Sequence, residues 1–215
     1  VSGATFASIF QGGVRFNTYI AFAVCAAFYG PEGLAVCAVA AGFMIVQINV
    51  YCIAAFAVWG EKKTGKNRIF RDLVRNPLIL GCVIGGLLSI SGVGLPGVTS
   101  EILEIIGRAA LPFGLLAVGA ALRLDEVKGH IKPIALSSLI QFGVKPVVVV
   151  ALLTVFDLSG MVAGAIIIMF MVPTASSAYI LARQLGGDTE TMSSIITFQT
   201  LLAFIMMPLI GMIAL

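Results

Sequence analysis

The sequence predicts an all-α polytopic membrane protein with seven transmembrane spans, and three observations carry that prediction. Of 215 residues, 60% are hydrophobic and 11% are charged, with a mean hydropathy of +1.09. A soluble domain carries about 25% charged residues. Apolar residues run on without alternation, as in Val147-Val148-Val149-Val150-Ala151-Leu152-Leu153. Outer-membrane strands are segments of about ten alternating residues, so these runs read as helices. Finally, ten of the thirteen Lys and Arg fall in loops or at a span end on one side of the alternating runs. Together these features exclude a soluble enzyme, a nucleic-acid binder and a disordered chain.

A helix needs about 20 mostly apolar residues to cross the hydrocarbon core. The runs that meet or approach this length are 4–29, 33–59, 77–93, 98–122, 133–157, 160–185 and 190–215. The first ends at Gly30-Pro31, the second at Trp59-Gly60, and the third is short and glycine-rich. The loops are too short to hold a separate domain. Val1 opens without a basic n-region or a cleavage site, so 1–29 is not a signal peptide and the natural N-terminus is expected upstream.

Charge orients the spans. The loop 61–76 contains Lys62, Lys63, Lys66, Arg68, Arg71 and Arg75; Arg123, Lys128 and Lys132 follow the fourth run, and Arg183 lies near the end of the sixth. The opposite loops, around Glu32, Gly94 and Asp157, have no Lys or Arg. The basic side is therefore expected to be cytoplasmic, in a cell (inner or plasma) membrane, with the C-terminus outside.

Two runs are expected to break at membrane depth. Gln11 to Thr18 interrupts the first, where Gly12 and Gly13 weaken the helix; Val172-Pro173-Thr174-Ala175-Ser176-Ser177 interrupts the sixth, where Pro173 removes a backbone donor. Gln11, Asn17, Thr18, Thr174, Ser176 and Ser177 can rebond the freed backbone. Each break precedes about ten residues, a turn and a long span, with the two broken helices running in opposite senses. That arrangement points to an inverted-repeat transporter with a midplane site.

Ionisable groups inside spans are functional candidates. Arg15 lies at the first break, where it could grip a carboxylate or cap loose carbonyls. Lys145 lies inside the fifth run with no acid at helical spacing, and suits either a fixed or coupling charge or a structural bond to a break. Arg108 has Glu104 four positions upstream, the spacing of a helical ion pair. Cys25, Cys37, Cys52 and Cys82 lie in apolar runs without CxxC spacing, and read as packing residues. No run holds Asp or Glu at its centre, which argues against a cation exchanger. No metal ligand set, cofactor motif or nucleic-acid-binding feature is present in the sequence. His130 is the one histidine and sits in a loop, which argues against serine-protease chemistry.

The stretch Ser8-Ile9-Phe10-Gln11-Gly12-Gly13-Val14-Arg15-Phe16-Asn17-Thr18-Tyr19 resembles the fourth helix of bacterial auxin efflux carriers. Gln47-Ile48-Asn49-Val50, Lys145-Pro146, Val172 to Ala182, Gly187-Asp188, Gln199-Thr200-Leu201-Leu202 and Met207-Pro208-Leu209 resemble later helices of that family in the same order. The resemblance implies a ten-helix fold of two inverted five-helix repeats, as in bile-acid symporters, with helices four and nine interrupted and crossing. This chain then supplies helices four to ten and lacks the first three; 1–60 ends the first repeat and 77–215 forms the second. The resemblance also implies a secondary transporter, an efflux carrier of small organic anions such as mono- or dicarboxylates, working by an elevator-type movement. The resemblance implies substrate contacts at the two breaks, where Asn17, Thr18, Pro173, Thr174, Ser176 and Ser177 lie; beside them Arg15 is the candidate anion clamp or cap, Asn49 either lines the site or bridges helices, and Lys145 is a coupling or fixed charge or a structural bond. The implied partners are a small organic anion, the lipid bilayer, a coupling proton or sodium ion, and a second copy through the scaffold helices. A passive anion channel and a non-transporting receptor are the competing readings. A channel needs a continuous polar stripe, whereas the polar residues here cluster at two depths.

Overall fold

The computed structural model describes residues 1–61, 77–95, 97–120, 122–123 and 129–214. The described residues are helical, without strands. The chain runs α1 (Gly3–Val14), α2 (Thr18–Trp59), α3 (Pro77–Ile90), α4 (Val98–Ala120), α5 (Ile131–Leu139), a π-helical turn (Ile140–Val144), α6 (Lys145–Val155), α7 (Gly160–Met171), α8 (Ser177–Leu185) and α9 (Thr189–Ala214). Four described stretches are long and apolar enough to cross a membrane: Gly3–Trp59, Val98–Ala120, Ile131–Val155 and Thr189–Leu209. Most of loop 61–76, including its basic residues, lies outside the described residues, as do Lys128 and the side chain of Cys82.

Both expected interruptions occur. Helix α1 stops at Val14, and Arg15 to Asn17 form an extended link to α2. The glycines are not the cause, contrary to the sequence expectation. Gly12 and Gly13 are helical, and a Cβ on Gly12 would meet the Ser137 hydroxyl at 2.5 Å and Ile195 at 2.7 Å. They permit close helix contact. Helix α7 stops at Met171, and Val172 is extended at φ −71°, ψ 151°, the region favoured before proline.

Helix α2 is too long for one crossing. It turns at Gly30, whose φ of 63° suits glycine. Ala21 and Cys25 before the turn share one buried cluster with Cys37 and Ala41 after it, so the two halves pack together. Helix α7 seals this cluster through Ala165, Ile168, Met169 and Val172. A second core joins α1, α5, α8, α9 and the end of α2 through Ile9, Ile53, Phe56, Ile134, Leu185 and Ile195. Helices α3 and α4 lie at the periphery, with Ile84, Leu87, Ile105 and Phe113 exposed. Glu104 and Arg108 pair at 2.6 Å on α4, as their spacing predicts.

The π-helical turn has a local cause. Pro146 has no N–H to give and its ring would crowd the carbonyl one turn back. The Lys145 N–H bonds to Ile140 O instead, widening the helix beside Gln141.

Asp188 fastens one end of the bundle. Its carboxylate accepts from Thr191 N at 2.9 Å, the Thr191 hydroxyl at 2.7 Å and the Thr5 hydroxyl at 2.7 Å. Partial burial disfavours the charged carboxylate, but these donors, with His130 nearby, outweigh it and hold its pKa below the usual value. A depressed folded pKa contributes stability above the unfolded pKa of about 3.9 and loses it as pH falls through the folded value. Asp188→Ala, which also removes the cap of α9, is expected to cost about 1 kcal/mol near neutral pH. The melting difference from wild type should persist from pH 7 to 5 and shrink below pH 4. A difference unchanged at pH 3 would remove the charged cap from this account.

Candidate functional site

The two breaks meet. Asn17 N donates to Pro173 O at 2.8 Å, joining one link to the other. Asn17 also restarts α2, since its side-chain oxygen accepts from Tyr19 N at 3.1 Å and Ile20 N at 3.3 Å. That is the N-cap role expected of Asn before a helix.

Three fully buried glutamines bond backbone at or beside the breaks. Gln199 accepts from Thr174 N at 3.0 Å and donates to Gly12 O at 3.2 Å and the Ser137 hydroxyl at 3.0 Å. Gln141 donates to Val172 O and accepts from Lys145 Nζ. Gln11 donates to Ala178 O at 2.9 Å and accepts from Arg15 Nη1 at 3.1 Å. Each would cost heavily if left unpaired in the interior, so the network is closed almost completely. The buried Thr174 hydroxyl is an exception, with no hydrogen-bond partner.

Arg15 is 6% exposed. Its guanidinium donates to Gln11 Oε1 and, through Nη2, to Asn49 Oδ1 at 3.1 Å; Asn49 is held in turn by its own bond to Ile45 O at 2.8 Å. Among the described residues no carboxylate pairs with Arg15. Lys145 is turned elsewhere. Its ammonium donates to Gln141 Oε1 at 2.9 Å and Val14 O at 3.4 Å, and stands 5.6 Å from the Phe170 ring centre.

A cleft of about 30 Å³ opens beside Arg15, lined also by Phe16, Thr18, Ile45, Ile48, Asn49, Ala175 and Ser177. That is room for a water or a group of carboxylate size. Thr18 and Ser177 are the first residues of α2 and α8, so two helix N-termini border it. Helix N-termini carry partial positive charge, although several first-turn N–H groups here are already bonded, Tyr19 and Ile20 to Asn17 Oδ1, Ala178 to Ala175 O and Tyr179 to Ser176 O. Of the residues singled out from sequence, the cleft gathers Arg15, Thr18, Asn49 and Ser177; Asn17, Pro173, Thr174 and Ser176 lie in the links behind it, and Lys145 is not among its lining. Gln141 was not singled out from sequence, although a neutral amide in an apolar run four residues before a lysine is a signal.

A much larger cavity, about 1070 Å³, lies between α2, α4, α7 and α9. Its walls are apolar, including Ile20, Phe28, Leu115, Met171, Phe204 and Met207, and among the described residues no charged side chain lines it.

The sequence profile described as membrane transport protein matches residues 63–211. The ileal sodium/bile acid cotransporter of Homo sapiens is 30% identical over 115 residues, which cover 52% of this chain and 33% of the relative. The sodium-dependent organic anion transporter of Bos taurus is 33% identical over 106 residues, covering 47% of this chain and 28% of the relative. An uncharacterized transporter of Methanothermobacter thermautotrophicus is 22% identical over 210 residues, covering 97% of this chain and 68% of the relative. The chain thus spans about a third of the length of the two named anion and bile-acid relatives. No solved structure matches.

Proposed function

The chain belongs to the membrane transport protein family, that of the auxin efflux carriers, and from this premise we propose that it is a secondary transporter of small organic anions. The observation that carries the reading is Arg15: a buried guanidinium, oriented by two neutral amides, facing a cleft at two helix N-termini. A buried cation without an internal counter-ion is costly, and an anionic ligand offsets that cost. The carboxylate docks on Arg15, with Thr18, Ser177 and Asn49 as neutral contacts. The apolar side of the cleft, Phe16, Ile45 and Ile48, takes the hydrocarbon part. Relatives named for organic anion or bile acid transport support the substrate class.

Lys145 supplies a fixed charge in this reading. Relatives carry sodium in their names, and here an ammonium is held by a backbone carbonyl and an amide oxygen, ligands that would also suit a bound cation. The two broken helices and their packed partners move as one body against α3 and α4, carrying the cleft between the membrane faces. Energy comes from an ion gradient or from the membrane potential, which drives each charge by about 2.3 kcal/mol per 100 mV.

The test is flux. The full-length protein in sealed vesicles should exchange labelled mono- and dicarboxylates saturably. Binding without flux would identify a receptor, and flux without saturation a channel. Orientation has its own check. Single cysteines at Lys66 and Glu32 should react with an impermeant thiol reagent from opposite sides, Lys66 from the cytoplasm. Labelling of both from one face would overturn the span order.

A further inference from the structure

Two side-chain pairs at the crossing share one construction. Gln11 and Arg15 are four residues apart on one broken helix, and Gln141 and Lys145 are four apart at the π-helical turn. In each pair the amide oxygen accepts from the cation, at 3.1 and 2.9 Å. In each pair the amide nitrogen donates to a carbonyl beside the second break, Ala178 O after it and Val172 O before it. Both glutamines are fully buried. Their amide orientations follow from the partners, because a cation only donates and a carbonyl only accepts.

Four residues upstream of a base is where a helix places an acid to neutralise it. The chain does this on α4, with Glu104 and Arg108 on an exposed face. At the crossing, where a counter-ion would matter far more, the same slot holds glutamine twice. Glutamine has the shape of glutamate without its charge. The amide in place of an acid leaves two positive charges, Arg15 buried and Lys145 half-buried, without a carboxylate partner among the described residues while keeping both side chains oriented.

We infer that Gln11 and Gln141 are specificity-determining residues: by withholding a carboxylate from Arg15 and Lys145, they reserve the positive charge of the crossing for a ligand anion. The inference rests on the anion-transport reading and deepens it. Only Arg15 of the two cations faces the cleft, so the ligand is held through one carboxylate. Gln11 acts directly on that contact, and Gln141 acts through the field of Lys145.

The test compares butanoate with butanamide, which share a carbon chain and differ in charge, bound to full-length protein in lipid nanodiscs. Wild type should prefer butanoate by about tenfold or more, the scale of a charge-assisted hydrogen bond. Gln11→Glu should lose that preference, weakening butanoate about tenfold while keeping butanamide within about threefold. Gln11→Met removes both hydrogen bonds and adds no charge; it should weaken both ligands together and keep the preference. Gln141→Glu should reduce the preference by a smaller factor, and it carries the test alone if the Gln11→Glu protein does not fold. Retention of the wild-type preference in the glutamate variants overturns the inference. So does a Gln11→Met protein as unselective as Gln11→Glu, which would make Gln11 a scaffold residue. A wild-type protein that binds butanoate no better than butanamide overturns the anion reading itself, and does so before any variant is made.

Discussion

Gln199→Leu is expected to cost about 3 kcal/mol of stability, from loss of hydrogen bonds to groups that stay buried. Gln199 is fully buried and its three bonds reach Thr174 N, Gly12 O and the Ser137 hydroxyl. Leucine fills nearly the same volume, so little of the effect is cavity. Thr174 N–H suffers most, since it lies in the link after Pro173 and has no helical acceptor. Gly12 O sits where α1 is ending, close to its own unpaired carbonyls. Gln199→Glu separates the two halves of the effect: it keeps an acceptor for Thr174 N and loses the donor to Gly12 O. Melting in detergent should rank wild type above Gln199→Glu and that above Gln199→Leu. Equal melting of all three would show that water satisfies the links, and the glutamine network would lose its structural role.

The second break is legible because proline acts locally, whereas the first is expected from Gly12 and Gly13, which prove helical, and Asn17 enters the sequence reading as a rebonding group and not as the cap it forms. Pro173 excludes its neighbour Val172 from the helical region whatever surrounds it. Gly30-Pro31 announced the turn of α2 for the same reason. Arg108 and Glu104 are a matter of spacing on one helix. What could not be read depends on partners far along the chain. Gly12 and Gly13 look like weak points of a helix until Ser137, Ile140 and Ile195 arrive against them. Pro146 disturbs its helix locally, but its presence in the sequence does not say whether the helix kinks or, as here, widens through the bond from Lys145 N–H to Ile140 O. Lys145 and Arg15 look alike in sequence, as lone cations in apolar runs. Only the tertiary contacts turn Lys145 toward Val14 O and leave Arg15 lining the cleft.

That difference gives Arg15 the largest expected effect on recognition. Arg15→Gln removes the charge proposed to meet the carboxylate, and a charge-assisted hydrogen bond is worth about 1.5–3 kcal/mol. Apparent affinity for a transported carboxylate should fall by roughly ten- to a hundredfold. Arg15→Lys should weaken it less, because the charge remains while the planar two-bond grip is lost. The neutral variant removes a buried cation, so it should fold at least as well as wild type; Gln11 and Asn49 can bond an amide in place of the guanidinium. Stability and affinity then move in opposite directions, which a general loss of structure cannot produce. Lys145→Gln should behave otherwise. Its donors already serve Gln141 and Val14, away from the cleft, so affinity should fall only a fewfold through the lost field. The dependence of flux on membrane potential should change instead if Lys145 is the fixed charge of the body proposed to move. Flux and equilibrium binding, measured on the same vesicles with expression and melting matched, separate these outcomes. Unchanged affinity in a well-folded Arg15→Gln protein would leave the helix N-termini at Thr18 and Ser177 as the anion's only positive contacts in the cleft, and the guanidinium would be a cap for the broken helix.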